Sequence, residues 1–168
     1  LNQAMIWLNR SAEQGYGPAC YNLATLYEQG EVVDLSYVSA FDWFKKGAEL
    51  GHTQSQLKTG LQSLKGIGTQ PDYGQALFWL DKAAVGGNAN AQVTLAILLR
   101  VTDSDKSFYW LQQAAQQDNS YAHYQLADIY SYGKLKQPID LQQALHHAAT
   151  SVKLGRVSSQ PLLDTIES

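Results

Sequence analysis

The chain has 168 residues, 45% of them hydrophobic and only 16% charged, with a net charge of −3. That is enough apolar material for an ordinary folded core, and it excludes the basic surface that nucleic acid or an anionic membrane would require. One cysteine, Cys20, excludes an internal disulfide, and no apolar run approaches the roughly 20 residues that cross a bilayer.

In chain order, Ala4, Met5, Trp7, Leu8 and Ala12 lie on one face of a helix over 1–14. Gly15 stops it, and Pro18 suits the first turn of the next helix, which carries Ala19, Leu23, Ala24 and Tyr27 and ends at Gly30. A linker over 31–36 leads into a helix centred on Trp43 and closed by Gly51. The next helix, 54–65, carries Leu57, Gly60, Leu61 and Leu64. Asp72 is placed to cap a helix containing Trp79, which breaks at Gly86-Gly87. A helix over 91–99 follows.

The linker over 100–105 lacks the usual glycine, so Trp110 arrives early; its partner helix holds Ala122, Leu126, Ala127 and Tyr130 and stops at Gly133. In the last copy His147 stands where tryptophan stands elsewhere, and a short capping helix is expected within 156–168, near Pro161. The pattern is about ten helices with no strand signal. Trp7, Trp43 and Trp79 recur every 36 residues, which makes the chain a tandem array. We expect one repeat domain over 1–168, with four to five repeats and the first truncated. Opening at Leu1 inside a helical pattern suggests a piece of a longer protein.

The recurring spelling is Ala-Gln-x-x-Leu-(Gly/Ala)-x-x-Tyr-x-x-Gly, then Gly-x-x-x-Asp, then Ala-x-x-Trp-(Leu/Phe)-x-x-Ala-Ala-x-x-Gly. It resembles the Sel1-like repeat, a relative of the tetratricopeptide repeats, from residue 1 to about 155. Departures are the short linker before Trp110, His147, and Gly60-Leu61-Gln62-Ser63, which lacks the tyrosine. The resemblance implies an all-α, right-handed α-solenoid of helix-turn-helix units, acting as a non-catalytic scaffold for a protein or peptide. It also implies a bacterial setting, with the periplasm or export favoured over the cytoplasm.

No nucleophile elbow, zinc-ligand spacing or phosphate loop is spelled out, so no catalytic residue, metal ligand or cofactor is expected. Lys65-Gly66-Ile67-Gly68-Thr69 follows a helix rather than a strand, and its glycines read as helix stops. His146 and His147 point roughly 100 degrees apart on a helix and do not readily share an ion. His147 reads as a seam residue, and His123 occupies the position of Cys20, Gln56 and Gln92 in other copies. The periodic tryptophans read as core.

In solenoids of the kind the resemblance implies, the first helix of each pair lines the concave surface. Its positions outside the packing seam are then the candidates for recognition: Tyr21, Asn22, Thr25, Lys58, Leu61, Arg100, Tyr124, Asp128 and Tyr132. Tyrosine and arginine are residues that interfaces favour, and Asn22, Lys58 and Arg100 suggest a carboxylate clamp. The expected partner is a protein or peptide, with no nucleic acid, no membrane insertion and a monomeric chain. The competing readings are a receptor for cell-wall or polysaccharide fragments, or a component of an envelope assembly.

Overall fold

The computed structural model describes residues 2–167 and, among them, contains helices and no strand. The helices are α1 (Asn2–Glu13), α2 (Gly17–Gln29), α3 (Tyr37–Glu49), α4 (Thr53–Lys65), α5 (Tyr73–Val85), α6 (Ala89–Leu99), α7 (Ser104–Ala115), α8 (Ser120–Tyr132), α9 (Leu141–Lys153) and α10 (Gln160–Glu167), with a 3-10 turn at Val157–Ser159. Contacts divide the chain into two compact units, Leu1–Asn88 and Ala89–Ser168.

The helix ends follow from local chemistry. Asp72, Asp103 and Asp140 accept hydrogen bonds from the backbone N–H three residues on, capping α5, α7 and α9. Each satisfies a donor that the helix itself leaves unpaired. Helices α2, α4 and α8 stop at Gly30, Gly66 and Gly133, all in the left-handed conformation.

In the first unit, α2 packs on α3 and α4 on α5. Alanines make the seams: Ala12, Ala19, Ala24, Ala40, Ala48, Ala76, Ala83 and Ala84 are all buried. Short side chains let the helix backbones approach, and the larger apolar side chains fill the space beside them. In the Trp43 helix the deepest of these is Phe44, fully buried against Ala24 and Ala40 with Tyr21 and Tyr27 beside it. Trp43 is only half-buried, with the Lys46 ammonium 4.7 Å from its ring. Trp79 and Trp110 are core, 6% and 7% exposed, whereas Trp7 is 64% exposed. The reason lies in packing: α1 leans on α2, and no helix precedes it among the described residues to cover its other face. The residue after each tryptophan is the more deeply set, since Phe44, Leu80 and Leu111 are 0%, 0% and 3% exposed.

Helix α4 is the departure. Its buried face carries Ser55, Gln56, Thr59, Gln62 and Ser63. Gln56 donates to the Ala48 carbonyl of α3, Thr59 to the Ser55 carbonyl, and Gln62 to Glu28 of α2. Buried polar groups are tolerated when hydrogen-bonded in this way.

The second unit repeats the scheme, α6 on α7 and α8 on α9, with α10 against α9. Across the seam Ser107 of α7 donates to the Ala96 carbonyl of α6, 2.7 Å away.

Candidate partner-binding site

The candidate residues fall into the two units, and each group has its own geometry. In the first, Tyr21 is half-buried and packs edge-on against Phe44 and His52, with 5.4 Å between centroids in both contacts. Tyr21 therefore belongs partly to the core. Thr25 returns its hydroxyl to the Tyr21 carbonyl, the usual behaviour of threonine inside a helix. Lys58 is an ion-pair partner, with Nζ 2.7 Å from Glu28 Oε2, and its ammonium lies 5.4 Å from the Phe44 ring. Glu28 also accepts from Gln62 on its other oxygen, at 3.1 Å. Leu61 is half-buried, and Asn22 is exposed.

In the second unit, Asp128 is the hub. Lys134 donates to both of its carboxylate oxygens at 2.7 Å, and the Arg100 guanidinium stands 3.9 Å away. Tyr132 is 56% exposed, with the Lys134 ammonium 4.8 Å from its ring. Tyr124 is half-buried beneath Arg156, whose guanidinium lies 5.2 Å from its centroid and 4.5 Å from that of Tyr121. A small cavity of about 60 Å³ opens beside Arg100, Tyr121 and Gln125.

Burial pushes His52 and His123 below the ordinary histidine range. Burial, then the neighbouring His123 and His146, hold His147 down to about 4. Burial also raises the Cys20 thiol, so this fully buried cysteine behaves as a small apolar residue. Among the described residues no three His, Cys, Asp or Glu side chains gather as a metal-binding group.

The Sel1 repeat model matches residues 1–16, 17–52, 53–88, 98–119 and 120–155. The chain belongs to the Sel1 repeat family. An uncharacterized protein of Neisseria meningitidis serogroup B is 36% identical over 87% of this chain and 31% of its own length. A chitin synthase regulator of Saccharomyces cerevisiae is 28% identical over 99% of this chain and 26% of its own. The chain thus spans under a third of these curated relatives. Among solved structures, a protective antigen present in uropathogenic Escherichia coli strains superposes with a TM-score of 0.89 at 28% identity, covering 95% of this chain and 35% of that one. A Sel1 repeat protein from Oxalobacter formigenes gives 0.83 at 30% identity, covering 96% and 66%.

The fold class is accordingly the all-α solenoid of helix-turn-helix repeats, and Sel1 repeat proteins generally serve as protein-interaction adaptors. Within this Sel1 chain, the first unit holds Tyr21, Asn22, Thr25, Lys58 and Leu61, and the second holds Arg100, Tyr124, Asp128 and Tyr132. Lys58 and Arg100 already face carboxylates of their own unit. A partner's carboxylate would have to compete with Glu28 or Asp128. Glu28 lies outside the packing seam of the same helix as Tyr21 and Asn22, whereas Gln62, Lys134 and Arg156 are the neighbours that repeat spelling did not single out. Only the proximity of separate helices reveals them, apart from Lys134, six residues beyond Asp128 across a glycine stop. No helix among the described residues is long and apolar enough to cross a membrane.

Proposed function

We propose that this Sel1 repeat chain is a non-catalytic interaction module that holds a protein or peptide against its partner-facing helices, using Asn22 with Tyr21, Lys58 and Leu61 in the first unit and Tyr132 with Arg100, Tyr124 and Asp128 in the second. Thr25 lies in the same row as Tyr21 and Asn22. The observation that carries the reading is Tyr132, a large aromatic 56% exposed at a position that packing does not demand. Burying such a ring is a major source of interface energy, and aromatic residues are enriched at interface centres. The yeast relative, described as a regulator of chitin synthase, is compatible with a role exercised on other proteins.

Because Lys58 and Asp128 are engaged internally, the module would bind chiefly through aromatic and uncharged polar contacts. Photo-cross-linking residues placed at Asn22 and at Tyr132 should each capture a partner protein from cells of the source organism. The same group at exposed Val101 should not. Asn22→Ala with Tyr132→Ala should weaken capture at least about ten-fold with an unchanged melting temperature. Equal capture at all three positions, or by the double variant, would remove these positions from consideration.

A further inference from the structure

Two departures from the repeat meet atom to atom in the second unit. His123 of α8 stands at the position of Cys20, Gln56 and Gln92, and His147 of α9 stands at the tryptophan position. Their Nδ1 atoms are 2.9 Å apart, with 5.1 Å between ring centroids. His123 is 6% exposed; its Nε2 is buried without a formed hydrogen bond, and the Ala115 carbonyl is the backbone group that acts on the ring. Tyr130 lies parallel to His147, the planes within 1° at 5.9 Å. Both histidines border a cavity of about 320 Å³ that Gln112, Gln116 and Gln143 also line.

We propose that His123 and His147 are the protein ligands of a borderline divalent metal ion, copper(II) or nickel(II), held at the mouth of this cavity. Imidazole nitrogens suit these ions, and no carboxylate or thiolate lines the cavity to favour calcium, magnesium or a sulfur-rich site. The two Nδ1 atoms, 2.9 Å apart, are near enough for one ion to take both once the rings turn from one another. Water and the glutamine side chains that line the cavity are the further donors at hand.

The proton account is closed. Without metal, the nitrogens point nearly at one another and one proton bridges them. With His123 as its Nε2–H tautomer, His123 Nδ1 accepts and His147 Nδ1–H donates. Metal binding shifts His147 to its Nε2–H tautomer, and both rings turn their Nδ1 lone pairs toward the ion. No proton is gained or lost overall.

The test is calorimetric titration of the chain with nickel(II) and copper(II) chloride, accompanied by thermal melts. The variants His123→Gln and His147→Trp restore residues that other copies carry, so the helix pair retains its packing. One ion per chain is expected, with a raised melting temperature and affinity at least about ten-fold weaker in either variant. His146→Ala should bind as the parent does, and magnesium and calcium should give no signal. The proposal fails if neither transition metal binds, if binding survives both variants, or if it is lost with His146→Ala.

Discussion

Gly60 of α4 and Leu80 of α5 sit so close that a methyl group on Gly60 would lie 2.7 Å from Leu80 Cγ and 3.1 Å from its Cδ2. Leu80 is fully buried and cannot swing into solvent. Gly60 therefore sets the distance between these helices. Gly60→Ala should destabilise by about 1–3 kcal/mol, although alanine is the better helix former, because overpacking exceeds the propensity gain of about 1 kcal/mol. Urea unfolding monitored by helical circular dichroism would measure it, and a stabilised variant would show that the seam is looser than described.

Phe44 and Trp43 provide the second test. Phe44→Ala should cost about 3–5 kcal/mol by opening a cavity. Trp43→Ala should cost less, since Trp43 keeps one side toward solvent under Lys46. Equal losses would restore the tryptophan as the pin of this copy.

A third expectation concerns pH. His52 Nδ1 lies 2.9 Å from Ser55 Oγ, and burial holds the ring below its ordinary value of 6.5. The folded ring resists protonation more than the unfolded one, so the unfolded chain binds more protons in the window just below pH 6.5. The stability that His52 contributes is whole above that pH and declines as pH falls toward its folded value. Unfolding midpoints between pH 7.5 and 5 should fall, and His52→Asn should flatten part of that slope. A His52 titration by NMR at or above 6.5 would contradict the assignment.

A fourth test uses a turn that recurs five times. Gly15, Gly51, Gly87 and Gly155 have φ of 86, 83, 84 and 87°, and Asp118 takes the corresponding place at 55°. A side chain there is disfavoured by about 1–2 kcal/mol, less for aspartate, which tolerates the conformation. Asp118→Gly should raise stability by about 0.5–1 kcal/mol despite the greater freedom of the unfolded glycine. A lower midpoint would mean that Asp118 makes an interaction worth more than the strain.

The fold was legible because its determinants are local and repeated. Gly51, Gly87 and Asp72 act through the next few residues, so their spelling marks the turns directly. The candidate site was legible only as a row of positions. Lys58 looked like a free cation until the fold set Glu28 against it, and the sequence separation of 30 residues carries no local signal. Trp7 shows the same limit from the other side. The motif names it as core, yet coverage depends on a neighbouring helix. For His123 and His147 the sequence carries no distance, and only the pairing of α8 with α9 sets their Nδ1 atoms 2.9 Å apart.

The polar face of α4 has a consequence for alignment. An alanine and leucine seam is nearly indifferent to a slide of one helical turn, about 5.4 Å, because one methyl replaces another. Gln56 and Gln62 have no such freedom, since the Ala48 carbonyl and the Glu28 carboxylate lie at single points along α3 and α2. Sliding α4 would leave these amides dry and unpaired, at about 1–3 kcal/mol each. This helix thus acts as a vernier for the first unit, trading some oiliness for one permitted setting.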